Sequence, residues 1–326
     1  VTFPTNHVIK SAIYKTKPLN ILWFPYNGLF EHLLFQGSTH KFYGCIQHSY
    51  IKWDTTLYNP GSNFHPLQEY KTLPISIDFD LIVCNDRLEQ YSYAQQLSDV
   101  LHLPLLIIEH TSPMSIMKLE DIFLIEKQQQ PDFTVVVNDI INKSWNKNYH
   151  VIKYGIPNID ITDKLSNKKT QAIIIGQFSQ SEYAKLYKII NTIKIPILII
   201  GDNKDISNTM SYDQAIKILS ESRFVINIGK EECYPLTLYL GMAAGCIPIS
   251  ATNNFINQKE IMTFKTLDDL AKIINKVIQY RTNTLDALSV KYQKLALSQL
   301  SNLETFCQQW DNYFEDIAQT VYIRKN

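Results

Sequence analysis

Two adjacent carboxylates, Glu231 and Glu232, stand where an apolar run at 224–228 gives way to a helix-compatible run at 235–244. Gly229 and Lys230 come just before them, and Tyr234, Pro235, Leu236 and Thr237 lead into the helix just after. Acidic residues ahead of a helix favour its positive end, an effect below about 1 kcal/mol at an exposed terminus. The same carboxylates can accept hydrogen bonds from the hydroxyls of a polar ligand, while the free N–H groups of the first helical turn suit a phosphate or a polar ring. Lys230 would then offset the paired negative charge or meet an anionic group.

Strand, acidic turn, helix, Gly245 as a stop and a second apolar run at 247–250 make one βαβ unit of a parallel sheet. Proline near the helix start and glycine just past its end is the expected asymmetry. The turn lies at the carboxyl end of its strand, the edge where open α/β sheets bind ligands. Other apolar runs end in the same manner: 20–24 before the turn holding Asn27 and Gly28, 104–109 before His110, 172–175 before Gly176 and Gln177, and 197–200 before Gly201 and Asp202. Thr252 and Asn253 follow the run at 247–250 at that edge. A lone histidine beside a strand is more often a satisfied structural residue than a reactive one. Asp78-Phe79-Asp80 is a DxD, but it begins its strand and so falls at the opposite edge, where capping is the natural reading. Asn85-Asp86-Arg87, at the other end of that strand, is better placed. Glu31-His32 has no HExxH or cysteine partner, so no metal is expected.

The 326 residues allow two ordinary domains, and 45% hydrophobic with 19% charged residues fits a globular chain. Lysine plus arginine equals aspartate plus glutamate at 31 each, so no global field draws nucleic acid or anionic membrane. No apolar run approaches the ~18 residues of a membrane span, and no charged start followed by an apolar stretch opens the chain. The sequence therefore reads as neither secreted nor membrane-spanning, with the cytoplasm as the expected location. Five cysteines without a CxxC spacing agree with a reducing compartment.

Strand–helix alternation runs through the first half, with strands expected at 20–24, 42–46, 79–84, 104–109, 133–137 and 150–154. Residues 48–74, rich in aromatics (Tyr50, Trp53, Tyr58, Phe64), Asn, Gly and Pro, read as a long surface loop. The polar stretch 160–170 reads as a hinge or linker, and a second alternation starts at 172, with helices expected at 182–192, 212–221 and 267–280. Phe306, Trp310 and Phe314, four apart in an amphipathic tail, form a stripe for docking on a neighbour.

The run from Glu232 to Ile249, with Leu236-Thr237 and Met242 to Pro248 inside it, resembles the donor-sugar motif of retaining GT-B glycosyltransferases, including the glycogen-synthase-like and family 4-like groups. The resemblance implies two Rossmann-like domains facing a cleft, with a carboxyl-terminal helix returning to the amino-terminal domain. In its frame Glu232 contacts the donor sugar, and Gly176, Gln177, Gly201, Asp202, Lys230, Glu231, Tyr234, Pro235, Leu236 and Thr237 form the nucleotide-sugar site. His110 matches the histidine that meets the transferred sugar at a first-domain strand end, and phage DNA glucosyltransferases show a similar strand–histidine–polar turn. Asn27 and Gly28 match the loop approaching donor phosphate or acceptor. The sequence departs from the pattern in three ways. The second glutamate, which holds the ribose, falls on Leu240, the glycine-rich turn is Cys233-Tyr234-Pro235, and the arginine of the diphosphate clamp is Gln177. Lys230, Lys185 or Arg223, or backbone N–H groups, would replace that clamp, or else the donor is unusual or activity is lost.

The resulting expectation is an α/β protein with an acceptor-binding domain at 1–157, a nucleotide-sugar-binding domain at 158–300 and a returning helix at 301–326. By resemblance it is a retaining, metal-independent glycosyltransferase with no cofactor, using a nucleotide sugar, foremost a UDP-sugar, as donor. The expected acceptor is a glycan, glycosylated molecule or protein, with the aromatic loop as platform, and modified DNA is less favoured at zero net charge. A sugar- or partner-binding protein without turnover is the alternative, supported by the missing ribose and clamp residues. A Rossmann dehydrogenase or epimerase ranks last, because no G-x-G-x-x-G follows the first strand.

Overall fold

The structure, a computed structural model, describes residues 18–25, 28–45, 58–67, 73–74, 76–85, 90–113, 119–175, 186–187, 190, 193–200, 210–227, 236–251 and 261–319. The chain forms two compact units, passing from the first to the second after Gly155 and back to the first at Leu303.

The first unit is a seven-stranded sheet in the order β3-β2-β1-β4-β5-β6-β7. Its strands are β1 (Asn20–Phe24), β2 (Lys41–Gly44), β3 (Phe64–Pro66), β4 (Leu81–Cys84), β5 (Leu105–Glu109), β6 (Phe133–Val136) and β7 (His150–Val151), and every pairing is parallel. Parallel sheets are covered on both faces, which is why the central strands read as unbroken apolar runs; LIVC of β4 and LLIIE of β5 are buried throughout. The helices are α1 (Gly28–Gly37), α2 (Tyr91–Leu101), α3 (Leu119–Gln128) and α4 (Asp139–Trp145). From β1 the chain crosses to β2 on one side, whereas β4, β5, β6 and β7 succeed one another on the other side. Right-handed crossovers therefore put α1 on one face and α2 to α4 on the opposite face. The order reverses between β1 and β4, which makes that seam the topological switch point.

The last helix of the chain, α9 (Leu303–Gln319), belongs to this unit and packs against α1. Its 3.6-residue periodicity buries Phe306, Trp310 and Phe314 at 1% exposure or less. Phe314 meets Trp23 edge-on at 6.3 Å, and Phe306 and Trp310 meet Phe30 at 5.9 and 6.0 Å. Asp311 secures the turn after α1, accepting hydrogen bonds from the Ser38 hydroxyl and the Thr39 backbone N–H.

The second unit is a five-stranded parallel sheet in the order β9-β8-β10-β11-β12. Here β8 is Lys169–Ile175, β9 Ile197–Ile200, β10 Ser222–Asn227, β11 Ile247–Ala251 and β12 Met262–Phe264. The helices are α5 (Tyr212–Glu221), α6 (Leu236–Ala243), α7 (Leu267–Val277) and α8 (Thr282–Gln299). Its switch point lies between β8 and β10.

Several expectations need correction. The 48–74 stretch is not wholly loop, because Phe64–Pro66 adds β3 beside β2. Phe64 is 7% exposed and stacks on Phe35 at 5.4 Å, so it is core and not platform; Tyr50 and Trp53 lie outside the described residues. The 160–170 stretch is no free linker, since Lys168 is buried and Lys169 already begins β8. The Lys168 Nζ donates to the carbonyls of Ser220, Ser222 and Ala244 at 3.0, 2.8 and 3.0 Å. The helix at 282–299 carries only a weak apolar stripe in the sequence, with Leu285, Ser289, Tyr292 and Ala296 as its buried residues. Most of the helix expected at 182–192 lies outside the described residues.

Candidate functional site

The second unit's seam is framed by β8 and β10. The chain leaves β8 at Ile175, directly before Gly176 and Gln177, and leaves β10 at Asn227, shortly before Lys230, Glu231 and Glu232. It leaves β9 at Ile200, directly before Gly201 and Asp202. Gly176, Gln177, Gly201, Asp202, Lys230, Glu231, Glu232, Tyr234 and Pro235 lie outside the described residues, as do Lys185, Thr252 and Asn253. Leu236 and Thr237, the described members of the expected donor set, open α6, with Leu236 buried and Thr237 half-buried.

The frame around the acidic turn is tightly specified. A Cβ on Gly241 would lie 2.7 Å from the nearest methyl carbon of Val225, so only glycine lets α6 sit this close to β10. Gly245, at φ +78°, ends the helix: its N–H donates to the Met242 carbonyl at 2.9 Å, and the Cys246 N–H donates to the Gly241 carbonyl at 2.8 Å. This is the reciprocal pattern of a Schellman stop. Pro248 is tolerated in β11 because it precedes Ile249, the first residue that β12 pairs with. The motif glycines and proline thus have a geometric reason in this chain.

Two sequence-level ideas about the missing clamp and ribose residues are settled by burial. Leu240, at the position of the family's second glutamate, is 4% exposed and belongs to the core. Arg223 lies at the amino end of β10, away from the carboxyl-end turn, and its guanidinium donates to Asp286 Oδ1 at 2.6 Å, so it cannot serve as the diphosphate clamp.

The first unit's seam carries a polar network. Asn85, just past β4, donates from Nδ2 to the Phe24 carbonyl at 2.7 Å across the β1–β4 switch point. Gln90 Nε2 donates to the Pro25 carbonyl at 2.7 Å, and Gln90 Oε1 accepts from the Asn85 N–H at 3.3 Å. His110, just past β5, sets Nε2 at 2.9 Å from Asn85 Oδ1 and Nδ1 at 2.7 Å from Tyr154 Oη. Because Asn85 presents its oxygen, Nε2 carries the proton and donates, leaving Nδ1 to accept from the tyrosine O–H. The His110 ring stacks on Tyr154 at 5.9 Å and meets Phe30 edge-on at 4.9 Å. Burial holds His110 neutral, lowering its pKa to about 3. Gly28 begins α1 beside this network, and Asn27 lies outside the described residues.

His110 was expected to meet a sugar with its ring, yet both ring nitrogens are engaged by protein groups. Asn85 is marked in the sequence by its place at a strand end, whereas Gln90 and Tyr154 are not marked. No local pattern marks them, since Tyr154 reaches His110 from 44 positions away. Asp80 accepts from the Asn20 N–H at 2.8 Å, which makes the DxD carboxylate a brace at the start of β1. Among the described residues, no group of three or more His, Cys, Asp or Glu side chains could hold a metal ion. Among them, too, no helix is long and apolar enough to cross a membrane.

No protein-family model matches the sequence, and no curated protein matches it. Solved structures do match. Anabaena HepE in complex with UDP aligns at 12% identity and a TM-score of 0.60, over 91% of this chain and 100% of that one. Sucrose-phosphate synthase from Thermosynechococcus elongatus aligns at 12% identity and a TM-score of 0.59, over 92% of this chain and 99% of that one. WaaG, a glycosyltransferase involved in lipopolysaccharide biosynthesis, aligns at 10% identity and a TM-score of 0.56, over 90% and 99%. The likeness at such identities is one of fold: two Rossmann-like units, with the last helix returned to the first, give this chain the GT-B architecture.

Proposed function

We propose that the protein is a glycosyltransferase that moves a sugar from a nucleotide-sugar donor, foremost a UDP-sugar, to a carbohydrate or protein acceptor. The observation that carries the reading is topological. The chain leaves β10 at Asn227, beside the second unit's switch point and shortly before Glu232 in sequence, and the helix that follows is packed through Gly241 and stopped at Gly245. The UDP held by HepE, which shares this fold, makes the uridine nucleotide the first donor to test.

In the proposed reaction the bond between the anomeric carbon and the diphosphate breaks, the acceptor hydroxyl oxygen bonds to that carbon, and the hydroxyl proton leaves on the departing diphosphate. Negative charge grows on the departing diphosphate, and stabilising it is the largest catalytic demand. Lys230 and the N–H groups at the start of α6 are the groups assigned to meet it. Glu232 orients the sugar by accepting from its hydroxyls. Asn27 and Gly28 approach the phosphate or acceptor. Retention of configuration, independence of metal and a cytoplasmic location are parts of this reading that rest on the resemblance and the composition.

A second reading is a sugar-binding protein without turnover, favoured by a buried leucine, Leu240, at the position where the resemblance puts the ribose-holding glutamate. One experiment separates them. The protein is incubated with UDP-, GDP- and CMP-sugars, and both nucleotide release and the melting temperature are followed. Turnover with a matched thermal shift supports the transferase, and a shift without released nucleotide supports the binder. No shift and no release with any donor overturns both. Glu232→Ala should lower turnover at least ~100-fold, about 2.7 kcal/mol in the barrier, at an unchanged melting temperature. Normal transfer by that variant would remove Glu232 from the site.

A further inference from the structure

The junction between β1 and α1 in the first unit is flanked by described groups that lead to one side chain. On its strand side, the carbonyls of Phe24 and Pro25 are held by Asn85 and Gln90, each at 2.7 Å. On its helix side, Phe30 lies edge-on to the rings of His110 and Tyr154, at 4.9 and 5.7 Å. His110 joins the two sides, because its Nε2 holds Asn85 while its ring face holds Tyr154. Direction matters in this chain. The Tyr154 O–H donates to Nδ1, which leaves the proton on Nε2; Nε2–H donates to Asn85 Oδ1, and that fixes the amide so that Nδ2 donates to the Phe24 carbonyl.

We propose that Tyr154, His110 and Asn85 form a tautomer-setting relay that holds the end of β1 at Phe24 and Pro25 and the first turn of α1 at Gly28–Phe30, so that His110 acts on the substrate site through Asn85 and not by touching the sugar. This rests on the proposed transferase activity for its consequence, but not for its geometry. A histidine used in this manner is a positioning residue, and its worth lies in holding a substrate-facing loop within a few tenths of an ångström.

Two measurements test it. The first needs no activity: long-range nitrogen–proton correlation spectra of the full-length protein at pH 7 should show His110 as the Nε2–H tautomer, and Tyr154→Phe should shift population toward Nδ1–H. A wild-type ring protonated on Nδ1, or one indifferent to Tyr154→Phe, overturns the relay. The second uses turnover. His110→Phe and Asn85→Ala should each lower kcat about tenfold, and the double variant should lose no more than either alone, the non-additive signature of one shared device. Additive losses overturn the proposal. So does a His110→Phe loss that vanishes when the donor sugar lacks one hydroxyl, because that would mean a direct contact with the sugar. If no donor is turned over at all, the proposed function fails, and the tautomer spectra still decide the relay.

Discussion

Lys168 and His110 are buried ionisable residues handled in opposite ways. Lys168 is 7% exposed, and burial lowers its pKa, yet its Nζ gathers carbonyls from the end of α5 and the end of α6, where helix dipoles favour a cation. Replacing it with methionine keeps the bulk and removes the ammonium from those carbonyls, although the Ser222 carbonyl still accepts from the Cys246 thiol at 3.4 Å. Lys168→Met should therefore cost on the order of 3 kcal/mol in urea denaturation of the second unit. His110 is instead kept neutral, and the sign of its pH effect follows. Above pH 6.5 the ring is neutral in both folded and unfolded chains, so it contributes no pH dependence. Below 6.5 the unfolded ring takes up a proton that the folded ring, with its pKa near 3, refuses. Stability should fall as pH drops through that window, by up to ~1.4 kcal/mol per unit. Melting curves at pH 7.5 and 5.5 measure the loss, and His110→Gln should shrink the difference between them.

Between strands and helices, the constraint passes from charge to shape. Gly241→Ala puts a methyl into Val225, and Gly245→Ala forces φ +78° on a residue with a side chain. The second substitution should cost about 1 kcal/mol, because left-handed backbone penalises a Cβ; the first should cost more, since helix and strand must part. Chemical denaturation of the two variants, read side by side, checks that order. These glycines explain why β10, α6 and β11 were legible from sequence: apolar runs, a proline and two glycines each perform a local job that leaves a local mark. The buried strands β4, β5, β8 and β9 were legible for the same reason. β3 was not, because three residues inside a polar loop carry no period, and only the neighbouring β2 makes them a strand. Nor was α8, whose one-sided burial is spread over eighteen residues. Of the first unit's site, Asn85 and His110 were visible as strand-end residues, but their partnership with Tyr154 depends on the sheet bringing distant segments to one edge.

At the scale of the whole chain, the first unit is completed by residues that come last. The polypeptide leaves that unit at Gly155, builds all of Ile156–Asn302 elsewhere, and supplies α9 only afterwards. The contact is not a loose cover. A Cβ on Gly155 would fall 2.5 Å from Phe306, one on Gly37 would fall 2.5 Å from Cys307 Sγ, and Trp310 and Phe314 are fully buried. Burying Phe306, Trp310, Phe314 and Ile317 contributes on the order of 6–12 kcal/mol by side-chain transfer, an upper figure because unfolded chains are partly compact. That matches the whole stability of an ordinary domain, about 5–15 kcal/mol. Ending the chain at Asn302 should therefore unfold the first unit while the second, whose sheet and helices lie within 156–302, keeps its own transition. Calorimetry of the truncated chain should show that one transition is lost, and fluorescence should report Trp23 exposed to water. Adding the peptide 303–326 in trans should restore the missing transition. A truncated protein that retains both transitions would mean the returning helix is an ornament to a sheet able to stand without it.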